Sequence, residues 1–139
     1  DLQEELHKTI VFITHDLDEA LRIGDQIAIL RDGESIQQGD PQDIIMRPAD
    51  SYISDFIKDI NRGRVIEVRS VMAKAARSSG PKIPKNTVLE DALQMIVAAD
   101  KDVGAVVDDD GKTVGKIEIA SAIAAMARPD RDASMTRYK

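Results

Sequence analysis

Six residues near the start of the chain, Thr9-Ile10-Val11-Phe12-Ile13-Thr14, limit what it can fold into more than any other stretch. Between the two threonines every residue is apolar, with no polar residue alternating. That pattern belongs to a strand covered on both faces, as in a parallel sheet, rather than to a half-exposed hairpin. A strand of this kind needs neighbours, and no run of comparable character precedes it. The expectation is a larger domain of which this chain carries the closing part, with Leu2 and Leu6 marking the tail of a preceding helix.

Beyond Thr14 the chain is strongly punctuated. Asp16 is placed as an N-cap and Glu19, three residues on, can reach back to it, so a capping box opens a helix through Arg22. Gly24 should end that helix, where positive φ is often needed. "QIAIL" and "ESIQQ" flank Arg31-Asp32-Gly33, and Asp-Gly between apolar runs signals a hairpin. Asp40-Pro41 starts a second helix, with Pro41 at the first turn where its missing N–H costs nothing, and the helix should stop before Pro48. Tyr52, Ile53, Phe56, Ile57 and Ile60 recur at helical spacing, giving a further amphipathic helix that ends near Asn61-Arg62-Gly63.

Gly63 is the expected boundary, and the charge balance changes there. Residues 1–63 carry 14 acids and 6 bases, a net −8, whereas residues 64–139 carry 11 acids and 13 bases, a net +2. Beyond it the sequence suggests a short strand at Val65-Ile66, a helix from Ser70 to about Arg77, and a loop "SSGPKIPKN" with at most one brief strand, since prolines deny ladder donors. Thr87 and Glu90 read as a second capping box, with Leu89, Ala92, Leu93, Ile96 and Val97 on one face of the helix behind it. "VGAVV", the turn "DDDG", "TVGKIEI" and a helix over residues 121–127 complete a small β-α-β-β-α unit. The segment "RPDRDASMTRYK" is polar and is read as a tail.

The absence of cysteine excludes disulfides and thiol chemistry. No apolar run approaches the ~20 residues of a membrane span, and no secretory signal is visible. Arg62, Arg64, Arg69, Lys74, Arg77, Lys82 and Lys85 form a basic stretch, but no aromatic residue is interleaved to stack on bases, so nucleic acid is not expected as a partner. A solvated linker and helix face explains the stretch, and contact with anionic lipid or nucleotide is the alternative.

His15 is the candidate for chemistry. In open parallel sheets ligands sit beyond the carboxyl ends of strands, which is the place that His15 takes after "IVFIT". A histidine beside a helix start is also an ordinary structural hydrogen-bonder. No metal site is expected, because capping accounts for Asp16 and Glu19 and His7 is the only other histidine.

The order of these features is more specific than any one of them. "TIVFITHDLDEALRIGDQIAILRDGESIQQGDPQDIIMRPA" resembles the C-terminal end of the nucleotide-binding subunit of ABC transporters, and its wording is similar to subunits that import glycine betaine, proline and related quaternary amines. The resemblance implies that His15 is the switch histidine, which contacts the γ-phosphate of ATP in the intact parent. It also implies ATP and Mg²⁺ as cofactors there, a transmembrane permease and a solute-binding protein as partners, and a peripheral place on the cytoplasmic face of the cell membrane. The phosphate-cradling G-x-x-x-x-G-K-[ST] loop, the acidic pair for Mg²⁺ and the "LSGGQ" signature are absent from these 139 residues. The chain by itself is therefore not expected to hydrolyse ATP.

Past Gly63, "VM", the "TVLEDA" segment, the apolar strand before "DDDG" and "VGKIEI" resemble a CBS domain. The fold expectation is thus α/β: residues 1–63 completing an ABC nucleotide-binding domain, residues 64–128 a regulatory CBS domain and residues 129–139 a polar tail. Such domains work in pairs, so a homodimer through CBS units is expected. Where the family's nucleotide-contacting version has a hydroxyl residue and an Asp, this chain has Glu118 and Ser121. A carboxylate facing a phosphate is unfavourable, which puts an adenine nucleotide or cyclic dinucleotide ligand in doubt. Two other readings remain open: a stand-alone CBS module sensing an adenine nucleotide, and an ATPase subunit for a different solute.

Overall fold

The computed structural model describes residues 8–127; the expected helix tail at residues 1–7 and the polar tail at residues 128–139 lie outside the described residues. Thr9 to Thr14 do not form a strand. Ile10, Val11, Phe12 and Ile13 are 52%, 84%, 60% and 91% exposed. Strand propensity supplies a conformation but no ladder partner, and among the described residues none pairs with this run. His15 therefore follows an exposed, unpaired segment rather than a buried strand end.

The next elements keep the expected order. Helix α1 spans Leu17–Ile23, with Asp16 accepting from the Glu19 N–H at 3.2 Å. The return bond of the box is not made by Glu19. The Asp16 N–H donates instead to the Thr14 hydroxyl at 3.0 Å. Gly24 closes α1 with φ −78°, not positive. Glycine matters there for space, because a Cβ would lie 3.1 Å from the Ala20 carbonyl oxygen and 3.3 Å from Ile27. Strands β1 (Ile27–Arg31) and β2 (Glu34–Gly39) pair antiparallel around Asp32-Gly33, both at positive φ, as the two-residue turn requires. Arg31 lies over the Tyr52 ring at 4.3 Å, and Tyr52 stacks with Phe56.

Helix α2 (Pro41–Met46) is capped by Asp40, which accepts from the Gln42 N–H at 2.7 Å. Helix α3 (Ser51–Ile57) is capped by Asp50 and ends earlier than its apolar spacing suggested, with Ile60 beyond it but still buried. Residues expected as a strand at Val65-Ile66 begin instead as a single helical turn, α4 (Arg62–Val65). The helix expected from Ser70 is α5 (Val68–Val71), and it gives way at once to strand β3 (Ala73–Lys74).

Strands β4 (Lys82–Pro84), β5 (Val103–Val107) and β6 (Thr113–Glu118) complete a four-stranded sheet of order β3-β6-β5-β4. β4 runs parallel to β5, with helix α6 (Leu89–Ala98) as the crossover, while β6 is antiparallel to both neighbours. Helix α7 (Ile119–Met126) follows β6 without a loop. The Thr87 capping box does not form: Val88 is the N-cap and no side chain caps it. Backbone pairing takes the donors, since Leu89 N–H bonds to the Ile66 carbonyl at 2.9 Å beside a Glu67–Val88 bridge. Glu90 is left to pair with Arg64 at 3.3 Å.

One apolar cluster runs from Leu21 through Ile44, Ile53, Ile57 and Ile66 to Ile83, Ile96, Val106 and Ile117. The hairpin part and the four-stranded part thus share a core across Gly63, which is itself buried against Met126.

Candidate functional site

His15 sits in a bend just before α1 and is exposed. Asp16 fixes the helix start behind it, and Thr14 fixes the approach through its bond to the Asp16 N–H. The imidazole has the open position expected of a group that meets a ligand, but the described residues place no phosphate-binding backbone beside it.

Glu118 and Ser121 come together elsewhere. With Val71, Met72, Ala73 and Lys116 they line a pocket of about 180 Å³ between β3, β6 and the first turn of α7. Its floor is set by sequence alternation. Lys116 and Glu118 stand two residues apart on β6 and so point to the same side, with Lys116 Nζ 3.8 Å from Glu118 Oε1. Glu118 is also the N-cap residue of α7, though its side chain does not cap the helix. Ser121 enters from the first turn of α7, and Met72 closes the other wall above Gly115, where any Cβ would collide with the Met72 side chain. His15 is not among the lining residues.

Lys116, Met72 and Ala73 were not anticipated as site residues. The period-two spacing of Lys116 and Glu118 was a usable signal for the first. The others depend on β3 docking against β6 across more than forty residues, which no local pattern encodes.

The electrostatics are mild in both places. Arg69, beside α2, keeps a pKa above its ordinary value: burial lowers it, but the hydrogen bond and charge of Glu67 and the charge of Asp40 outweigh that. Arg62 is shifted down by burial, with its Nε donating to the Ala125 carbonyl at 2.9 Å near the end of α7. Among the described residues no group of three or more His, Cys, Asp or Glu side chains gathers as a metal site. None of their helices is long and apolar enough to cross a membrane.

No family model matches the chain. Individual proteins do. The trimethylamine N-oxide transport system ATP-binding protein of Pelagibacter ubique is 40% identical over 124 residues, covering 88% of this chain and 36% of that protein. The chain is similar to the ATP-binding subunits of betaine-type transport systems. The glycine betaine/carnitine transport ATP-binding protein of Listeria monocytogenes is 47% identical over 87 residues, covering 60% of this chain and 22% of its own length. The glycine betaine/proline betaine transport system ATP-binding protein of Salmonella typhimurium is 37% identical over 129 residues, covering 91% of this chain and 32% of its own length. The chain thus spans about a third of the length of two of these relatives. Because 129 aligned residues cannot fit on one side of Gly63, the similarity to this ATP-binding protein includes both the hairpin part and the four-stranded part. Among solved structures, an AMP-bound CBS-domain pair from Klebsiella pneumoniae overlaps at a TM-score of 0.31 with 17% identity, covering 82% of this chain and 84% of that one. That overlap is too loose to decide anything about the site.

Proposed function

We propose that this chain is a C-terminal part of the ATPase subunit of an ABC importer for quaternary-amine osmolytes such as glycine betaine or proline, with residues 64–128 acting as a CBS-type regulatory unit. The observation that carries the reading is the similarity to betaine-type ATP-binding subunits along 88–91% of the chain. In this reading the complete subunit works on the cytoplasmic face of the membrane with a permease and a solute-binding protein, and two copies pair through their CBS-type units.

In the complete subunit ATP with Mg²⁺ would supply the phosphoryl group to be transferred. The residues present do not by themselves fit that group: the sequence has no phosphate loop, and His15 offers one hydrogen-bond donor at an exposed helix entry. In the reading His15 would contact the γ-phosphate in the complete subunit, where phosphoryl transfer needs the reacting groups held in place. The Glu118–Ser121 pocket is the place for a regulatory ligand, an adenine nucleotide or cyclic dinucleotide. Its volume of about 180 Å³ is small for such a molecule, below the ~300 Å³ at which ligand clefts usually begin. A second copy facing it supplies the missing wall, and Lys116 offsets the Glu118 charge that a phosphate would otherwise meet.

The test is uptake of labelled glycine betaine by cells carrying the complete transporter. His15→Ala should lower uptake about 100-fold, the scale of losing a contact to developing charge. Uptake equal to the unaltered subunit would overturn the reading.

A further inference from the structure

Among the described residues a single polar side chain is buried in the apolar cluster, Gln42 at 6% exposure. It stands in the first turn of α2, yet all of its side-chain bonds go to residues 23–28 positions away. Nε2 donates to the Val65 carbonyl at 2.8 Å. Oε1 accepts from the Glu67 N–H at 2.9 Å and from the Ser70 hydroxyl at 2.8 Å. The amide cannot be turned round, because Val65 offers only an acceptor and Glu67 only a donor. Among side chains of this length, only glutamine carries a donor and an acceptor on one planar end whatever its protonation. Ionised glutamate would set its oxygen against the Val65 carbonyl, and leucine would leave buried backbone groups unpaired.

A second connection lies beside the first. Asp40 accepts the Gln42 N–H through Oδ1, while its Oδ2 meets Arg69 Nη2 at 3.3 Å. Arg69 Nε in turn donates to Glu67 Oε2 at 2.6 Å. The segment gripped in this way is also pinned to the four-stranded part, with Val68 N–H bonded to the Thr87 carbonyl at 2.9 Å and Arg69 N–H to the Lys85 carbonyl at 3.1 Å. It then runs through α5 directly into Val71, Met72 and Ala73, one wall of the pocket.

We propose that Gln42 is the positioning residue of a joint that links the Glu118–Ser121 pocket, through α5, to α2 and the β1–β2 hairpin. Movement of Met72 or Ala73 shifts α5, and the three bonds of Gln42 hand that shift to α2 rather than letting the apolar surfaces slip. Its regulatory meaning rests on the function proposed for the chain, where the hairpin part belongs to the ATPase and the pocket to its control. The joint itself does not depend on that reading.

The experiment uses the 139-residue chain and backbone amide shifts. Ser121→Trp fills the pocket from α7 without touching Gln42. With Gln42 present, it should displace the amide signals of Ile27 to Gly39 as well as those lining the pocket. In the Gln42→Ala background the pocket signals should still move and the hairpin signals should not. If Gln42→Ala does not fold, two milder variants give the answer. Ser70→Ala removes one of the three bonds, and Asp40→Asn keeps an oxygen for the Gln42 N–H while losing the Arg69 pair. Each should reduce the hairpin displacement. Hairpin displacements that are absent with Gln42 intact, or undiminished in the variants, would overturn the joint. Uptake is not involved, so failure here is distinct from failure of the transporter reading.

Discussion

The two sheets of this molecule meet the same physical demand with different resources. The four-stranded sheet buries Ile83, Val106 and Ile117 completely under α6 and α7, and its central strands have a partner on each side. The β1–β2 hairpin has two strands, leaves Leu30 65% exposed, and buries Ile27 and Ile29 in the cluster it shares with Ile44 and Ile53. Ahead of it, Ile10 to Ile13 are as apolar as any strand in the second sheet and pair with none of the described strands. A β-prone sequence is therefore a request for neighbours, and only one half of the described chain answers it internally.

The sharpest way to break this contrast is through two glycines, one in each part. Gly80 has φ +89° and sits so close to the Val103 carbonyl that any Cβ would collide with it, whereas Gly33 has φ +79° with open space around it. Gly80→Ala should cost about 4 kcal/mol, in the range reserved for core disruption, and Gly33→Ala about 1 kcal/mol for the backbone conformation alone. Urea unfolding of both variants decides it, and equal losses would show that the second sheet is no more tightly determined than the hairpin. Next in size, Ile117→Ala removes a fully buried side chain from β6 and should cost about 3 kcal/mol, read as a lowered urea midpoint. The smallest effect belongs to Ile13→Ser. At 91% exposure it should change stability by less than about 0.5 kcal/mol. A larger loss in thermal melting would mean that the apolar run packs on something after all.

Much of the hairpin part was legible because its signals are local. Asp32-Gly33, Asp40-Pro41 and the Asp16 cap act within two to four residues, and each appears where the sequence puts it. Two misses in the four-stranded part share one cause, competition from distant backbone. Thr87 lost its capping role because Ile66 and Glu67 pair with Val88 and Leu89. The helix expected through Arg77 was cut at Val71 because Ala73 and Lys74 join β6. Glu118 and Ser121 were visible as candidates, while the pocket around them was not, since its other wall arrives from residues 71–73. Gln42 gave no sign at all: a glutamine after Asp-Pro reads as an ordinary surface residue until Val65 and Ser70 fold over it.

The order of strands also sets an order of assembly. β5 and β6 are joined by the short Asp108–Lys112 turn, in which Asp108 accepts from both the Asp110 and Lys112 N–H groups, so that hairpin closes a short loop. β4 must wait for the α6 crossover, and β3 closes a gap of more than forty residues while contributing only two residue pairs to the ladder. The last strand to arrive is then the weakest held, and it forms a wall of the Glu118–Ser121 pocket. Local unzipping of β3 would open that pocket at a small fraction of the cost of unfolding the sheet, so the pocket's wall and the last rung of the ladder are lost in the same motion.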